Sequence, residues 1–266
     1  MSESGRAWGD YYKNGNLTWY DPKWRWDHLM KLGGTEYVTR IAKACCLNHK
    51  SRARVLEAGC GTGQYALAFG LLGFQVDAFD YNRDAIKIAQ SLLAKVKQAN
   101  IERQVCFYQD NLLNISLRSN NYDPVFNQAV MEYFLDKREC LVALNEMVRV
   151  TKPGGYVAVI VQHTGHPLGR LWRWLGWEGY TDQPPVSRYT CNILAKELKE
   201  TGLTEVTVDG IYPWKTLFFW PKWYQRWTWS SQLTNILYRR LTAYIPLPRL
   251  VRKRFAIQIL GIGRKP

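Results

Sequence analysis

The sequence predicts an α/β fold with a seven-stranded, mostly parallel sheet and helices on both faces. From about residue 51 onward, short β-favouring runs alternate with helical patterns, which is typical of parallel sheets. A glycine-rich loop joins the first strand to the first helix, and a Pro-Gly turn at residues 152–155 precedes a later strand. With 266 residues, 47% of them hydrophobic, the chain can bury a sizeable core.

The elements are predicted from periodicity, caps and breakers. A helix at Thr35–Leu47 comes first. The N-terminal half then contains strands at Arg54–Ala58, Phe74–Asp80 and Gln104–Tyr108, with helices at Gly63–Leu72 and Arg83–Gln98, the latter capped by Asn82. The C-terminal half contains strands at Tyr122–Gln128, Tyr156–Val161, Glu205–Ile211 and Phe255–Gly261, with helices at Lys137–Val150 and Cys191–Thr201.

This pattern divides the chain into a core and its covering. Residues 1–50 are predicted to form an N-terminal helical cap, and residues 51–211 and 254–266 the core. Within the core, residues 162–190 form a long lid loop. Residues 212–253 are a basic, tryptophan-rich insertion, assigned to the substrate lid because long loops in compact domains are usually functional.

The glycine loop carries the first chemical signal. Gly59, Gly61 and Gly63 follow Glu57 at alternate positions between a strand and a helix N-terminus, where backbone amides can approach a ligand closely. Dinucleotide enzymes space these glycines as G-x-G-x-x-G, which would require glycine at 64, where this chain has Gln64.

The stretch Val55–Gln64 closely resembles motif I of the class I S-adenosylmethionine-dependent methyltransferases, which have a Rossmann-like fold. Further matches follow in order: Asp80, Asp110-Asn111, Tyr122–Phe134 and Arg149–Gly155. Many members have glycine where this chain has Ala129 and histidine where it has Tyr133. The resemblance implies S-adenosylmethionine as cofactor, with contacts at Glu57, Gly59, Cys60, Gly61, Gly63, Asp80, Tyr81, Asp110, Asn111 and Gln128.

The resemblance also suggests a role for most of these contacts. Glu57 and the glycine loop would face the amino-acid end of the cofactor, Asp80 the ribose hydroxyls, Asp110-Asn111 the adenine edge, and Gln128 the methionine moiety. From the residues alone, Asp80 could instead be a helix-capping acid, and Asp110 could equally be a solvated turn residue.

The implied reaction is an in-line attack on the sulfonium methyl, for which the protein aligns the nucleophile and removes its proton if necessary. His163 and His166 are the candidates for proton removal; each histidine could instead be a structural loop residue. Tyr133 is also assigned to the catalytic site, as a weaker candidate for contact with the substrate. Substrate contacts are assigned to Tyr11, Tyr12, Arg188 and Tyr189. No spacing in the sequence suggests a metal site.

Charge and tryptophan distribution single out the covering. The net charge is +14, and residues 211–266 contain eleven Lys or Arg and no acid. All twelve tryptophans lie outside residues 27–171. An anionic membrane surface with a small or lipid-like substrate is one interpretation. Packing of the lid as its own small core is another, and single-stranded RNA is the least favoured, since no RNA-binding module is recognisable. A non-catalytic binding protein with this fold is a further alternative.

The six cysteines form no C-x-x-C pair, and Cys60, Cys106 and Cys140 fall in predicted core elements. Reduced thiols are therefore expected. The N-terminus lacks a signal-peptide pattern, and no apolar run approaches the roughly 18 residues of a spanning helix. The expected location is cytoplasmic, with a peripheral membrane contact as a candidate. The oligomeric state stays open.

Overall fold

The computed structural model of the chain describes residues 35–45, 53–96, 101–175, 187–211 and 247–266. The strands are β1 (Arg54–Ala58), β2 (Gln75–Asp80), β3 (Val105–Gln109), β4 (Val125–Gln128), β5 (Tyr156–Gln162), β6 (Thr204–Ile211) and β7 (Gln258–Arg264). The helices are α1 (Thr35–Ala44), α2 (Gln64–Leu71), α3 (Arg83–Lys95), α4 (Ile101–Gln104), α5 (Lys137–Val150), α6 (Pro167–Trp174), α7 (Cys191–Glu200) and α8 (Arg249–Phe255), with a 3₁₀ turn at Met131–Tyr133.

The seven strands form one sheet in the order β3-β2-β1-β4-β5-β7-β6. All pairs from β3 to β5 are parallel, and only β7 pairs antiparallel with its neighbours β5 and β6. The prediction of a mostly parallel, seven-stranded sheet is therefore confirmed. Because β1 to β5 are parallel, their carboxyl ends meet at one edge, where open α/β sheets bind ligands.

The sheet is covered on both faces by apolar helix surfaces. On one face α1 and α2 pack through residues such as Ile41 and Phe69. On the other, α5 and α7 pack through Leu144, Met147 and Leu198. A parallel sheet buried on both faces requires strands with nearly continuous apolar runs, and β5, with five consecutive buried residues, shows this.

The C-terminal segment differs from the prediction. The last strand was expected at Phe255–Gly261 but lies at Gln258–Arg264, and Arg249–Phe255 forms α8. The reason is tertiary: α8 packs on β6, where the Arg252 guanidinium lies 2.6 Å from the Asp209 carboxylate. Gly210 permits the contact, since a Cβ there would collide with the Arg252 carbonyl. Helix α8 thus crosses the expected boundary between insertion and core at residue 253.

Smaller predictions also differ from the structure, and helix α3 ends at Lys95 rather than at Gln98. Strand β4 begins at Val125, whereas Tyr122 makes only an isolated bridge with Thr151. Cys106, expected in the core, is exposed because β3 is an edge strand and Cys106 lies at an outward position of its burial pattern. The turn at residues 152–155 is as predicted: Gly154 has φ +74° and the Gly155 amide donates to the Lys152 carbonyl at 2.9 Å.

Within the described ranges, no helix is long and apolar enough to cross a membrane.

Candidate active site

The glycine loop lies between β1 and α2 in a left-handed backbone conformation. Gly59, Gly61 and Gly63 have φ values of +80°, +52° and +75°, a region that side-chain-bearing residues rarely adopt. A Cβ on Gly59 would lie 2.6 Å from Val130 Cγ2, and one on Gly63 would collide with the Phe107 ring. Glycine at these positions therefore lets the turn after β4 pack against one side of the loop and β3 against the other.

Asp80, at the end of β2, holds this loop. One of its oxygens accepts a hydrogen bond from the Gly61 amide and the other from the Asn82 amide, each at 2.8 Å. The cap of α3 is Asn82, whose side chain accepts from the Asp84 and Ala85 amides. The helix is therefore capped by Asn82 and not by Asp80. Burial raises the pKa of Asp80, and the two amides partly offset that rise.

Glu57, at the end of β1, is 1% exposed, and its Oε2 accepts from the Ala66 amide in the first turn of α2 at 2.8 Å. Burial raises the pKa of this carboxyl well above its usual range; the Ala66 amide opposes the rise, and the nearby Asp80 charge adds to it. Cys60 is buried beside them, and its amide donates to the Phe79 carbonyl at 2.8 Å.

Asp110, after β3, lies next to Asp80, since its amide donates to the Asp80 carbonyl at 3.2 Å. Its carboxylate accepts from the Asn111 amide and from both the amide and the hydroxyl of Ser116. These bonds organise the following loop, as the turn interpretation expects. Asn111 is exposed, and Tyr81 is 49% exposed.

The end of β4 faces the glycine loop. Gln128 is half-buried, and Ala129 has φ +54°, the left-handed region in which glycine is favoured. Tyr133 is half-buried on the 3₁₀ turn. Glu132, the residue before Tyr133, is completely buried. Sequence reasoning assigned no role to Glu132; the available signal was a lone acid inside the apolar run that follows β4.

The two histidines lie beyond β5. His163 Nδ1 is 3.0 Å from the Ala256 carbonyl, and the His163 amide donates to the Ile257 carbonyl. Burial lowers the pKa of His163, and the Ala256 contact partly opposes this. His166 is also buried, with its ring centroid 6.1 Å from that of His163. His163 therefore ties β5 to the start of β7.

Of the four assigned substrate contacts, the structure describes Arg188 and Tyr189, which differ in burial. Tyr189 is 2% exposed, and its hydroxyl lies 3.2 Å from Cys140 Sγ, which makes it part of the core under α5. Arg188 is exposed, and Thr190 caps α7 through the Ile193 amide at 3.3 Å. Tyr11 and Tyr12 lie outside the described residues.

The structure brings Glu57, the glycine loop, Asp80, Asp110 and Gln128 to one edge of the sheet, and these residues fit S-adenosylmethionine. Each carboxylate oxygen of Asp80 takes one amide, so each keeps acceptor capacity for a ribose hydroxyl. When bound, the cofactor supplies a methyl group on positively charged sulfur. No cluster of His, Cys, Asp or Glu in the described part of the chain could hold a metal ion.

Comparison with known proteins also indicates a methyltransferase domain. A family model described as a methyltransferase domain matches residues 56–159. The demethylmenaquinone methyltransferase of Paenarthrobacter aurescens (strain TC1) is 25% identical over 217 residues, 82% of this chain and 76% of that protein. The probable tRNA methyltransferase 9B of Bos taurus is 31% identical over 114 residues, 42% of this chain and 22% of that protein.

A solved structure of Haemonchus contortus phosphoethanolamine N-methyltransferase 2, in complex with phosphomonomethylethanolamine and S-adenosylhomocysteine, shares the fold. Its TM-score is 0.61 at 18% identity, with 94% of this chain and 58% of that chain covered. The chain spans 36% of the length of two Haemophilus influenzae relatives that it also matches. The glycine loop, Asp80, the strand order and these matches together support a methyltransferase domain of the class I S-adenosylmethionine-dependent type in this chain.

Proposed function

We propose that the protein is an S-adenosylmethionine-dependent methyltransferase that acts on a small or lipid-like, amphipathic substrate by in-line methyl transfer. The bond between Asp80 and the Gly61 amide supports the cofactor half of this proposal, because it orders the loop on which the family binds its cofactor. The relatives' names include a demethylmenaquinone methyltransferase and a probable tRNA methyltransferase. The substrate class therefore depends on this chain's own surface.

The observation that carries the substrate class is an exposed apolar and basic surface on α6 and α8, two helices in contact with each other. We call it the α6–α8 surface. Trp174 is 80% exposed and Leu250 78% exposed. Its remaining exposed members are Arg170, Leu171, Leu175, Arg249 and Arg254. The two helices contain no acid.

Large exposed apolar side chains among basic ones suit the interface of an anionic membrane. Helix α6 follows β5 within a few residues, so this surface begins at the ligand-binding edge of the sheet. A protein held there would take an amphipathic acceptor from the membrane into its site. The accompanying proposal for location is the cytoplasm, with peripheral contact at the membrane.

Labelled methyl from S-adenosylmethionine is expected to appear in the organic phase when the purified protein is incubated with a cell extract that is then partitioned between solvent and water. The reason is that an amphipathic acceptor partitions with lipids. Heat-denatured protein is the control. Label found only in nuclease-sensitive material would favour an RNA methyltransferase, and S-adenosylhomocysteine binding without any transfer would favour a non-catalytic binding protein.

The protein is expected to co-sediment with vesicles of anionic phospholipid at low salt and to be released at about 1 M salt, where the Debye length falls to about 3 Å. Leu250→Glu should lower the partition coefficient about 30-fold, because it removes an inserting side chain and adds a charge of the wrong sign. Val142→Glu, on the exposed side of α5 at 45% exposure, is the matched control. Equal sedimentation of both variants would contradict this surface.

A further inference from the structure

Among the described residues, Glu132 is the buried acid whose carboxyl oxygens lack a hydrogen-bond partner. Its exposed fraction is 0%, and neither carboxyl oxygen has a hydrogen bond of ordinary geometry with any described residue. The other buried acids differ. Glu57 accepts from the Ala66 amide, Asp77 pairs with Arg54 at 2.7 Å, and Glu197 lies within 3.7 Å of the Cys140 thiol.

Burial raises the pKa of Glu132 to about 7, and the nearby backbone amides of Glu132 and Gln162 partly offset the rise. The carboxyl therefore changes charge near neutral pH. A buried carboxyl without partners destabilises the folded state, and such groups concentrate at functional sites. No group within the described core forms a hydrogen bond of ordinary geometry with this carboxyl, so its place at the edge of the sheet is the relevant feature.

That position is the ligand-binding edge of the sheet. Glu132 lies on the 3₁₀ turn after β4, two residues beyond Val130, the side chain that packs against Gly59. The backbone amide of Gln162, the last residue of β5, lies near the Glu132 carboxyl. The segment before α7 crosses the same turn, because the Ser187 amide donates to the Glu132 carbonyl at 2.6 Å. The acid thus lies between the cofactor loop and the strand that leads to α6.

We propose that Glu132 is a catalytic residue that accepts the proton of the methyl acceptor, and that the acceptor atom is an amine nitrogen or hydroxyl oxygen whose hydrogen bonds to this carboxylate. The inference rests on the proposed methyltransferase function. Because solvent does not reach the carboxyl, the acceptor must displace groups that pack over the turn, such as the segment at Ser187. Such local opening accompanies substrate binding in many enzymes.

The reaction balances with this residue. The acceptor's lone pair bonds to the methyl carbon, the bond from that carbon to sulfur breaks with its electron pair retained on sulfur, and the acceptor's proton passes to Glu132. The neutral acid then returns the proton to water after product release. A base with a pKa near the working pH is suited to this transfer. His163 is the weaker base of the two, because burial lowers its pKa.

The first test needs no knowledge of the acceptor. Protein labelled with carbon-13 at the glutamate carboxyl is titrated by NMR from about pH 5 to about pH 9, with Glu132→Gln to assign the signal, or Glu132→Asp if that variant does not fold. The titration is repeated with S-adenosylmethionine and with S-adenosylhomocysteine. The sulfonium charge favours the ionised carboxylate.

The Glu132 midpoint should lie roughly one to two pH units lower with S-adenosylmethionine than with S-adenosylhomocysteine, if the sulfur lies within about 10 Å. Equal midpoints in both complexes would overturn the proposal while leaving the methyltransferase function intact. Failure of either ligand to bind, seen separately by calorimetry, would overturn both.

The second test addresses the proton transfer itself. The acceptor is a fresh, unlabelled portion of the extract fraction that took up label in the experiment above. With it, Glu132→Gln should lower the transfer rate at least about 100-fold and abolish the rise of rate through neutral pH. Glu197→Gln is the matched control, since Glu197 is also a buried acid but lies under α5, against Cys140. Wild-type rate and pH profile in Glu132→Gln would contradict the assignment.

Discussion

Asp80→Ala is expected to weaken binding of S-adenosylhomocysteine by roughly 100-fold, measured by calorimetric titration. The substitution removes the acceptor for the Gly61 amide and frees the loop. It also removes the carboxylate proposed to bind the ribose hydroxyls. Hydrogen bonds to charged groups contribute about 1.5–3 kcal/mol each, and about 3 kcal/mol corresponds to that loss of affinity.

Asp84→Ala is the control for this substitution. Asp84 is an acid on the first turn of α3, four residues along the chain, and its carboxylate forms an exposed ion pair with Lys87 at 2.8 Å. Exposed pairs contribute little, so its affinity should stay within about twofold of wild type. If Asp80→Ala bound the ligand like the wild type while retaining its circular dichroism spectrum, the assignment of Asp80 to the cofactor site would be wrong.

Gly63→Ala is expected to destabilise the fold by about 3 kcal/mol in urea unfolding, the largest effect of any single methyl addition that we predict. The backbone there has φ +75°, and the added methyl would collide with the Phe107 ring. The left-handed conformation costs about 1–2 kcal/mol for a residue with a Cβ, and overpacking in a core costs about 1–3 kcal/mol more.

Gly73→Ala separates the two causes. Gly73 has φ +89°, but a Cβ there would meet nothing within 4 Å, so only the backbone cost of about 1–2 kcal/mol remains. The double variant Gly63→Ala, Phe107→Leu should recover part of the lost stability relative to Gly63→Ala, because a smaller side chain makes room. Equal destabilisation by Gly63→Ala and Gly73→Ala would show that contact with β3 does not constrain the loop.

Local patterns predicted most of the core because local forces decide it. Strand β1 and helix α5 have their predicted bounds, and Asn82 caps α3 as expected. Each depends on nearest-neighbour chemistry: an apolar run, a helical period, a capping side chain. The C-terminal strand was predicted three residues too early because Phe255 and Ile257 fit a strand pattern as well as a helix end. Docking of α8 on β6 removed that ambiguity.

The site divides in the same way. Glycine spacing and the acids at strand ends are sequence features, and the structure brings Glu57, Gly61 and Asp80 together because parallel strands end at one edge. The surroundings of Tyr189, His163 and Glu132 depend on segments far apart in the chain. Tyr189 meets Cys140 and His163 meets Ala256 only after the sheet has formed.

The residues alone therefore predicted the sheet and the edge at which the cofactor is expected, since these follow from local propensity and spacing, and the motifs carried the resemblance to the methyltransferase family. Only the tertiary structure distinguished a buried tyrosine that packs from a buried glutamate whose carboxyl has no hydrogen bond of ordinary geometry with a described residue. The physical reason is that burial and hydrogen-bond satisfaction depend on which distant groups surround a side chain, and a one-dimensional pattern does not contain that information.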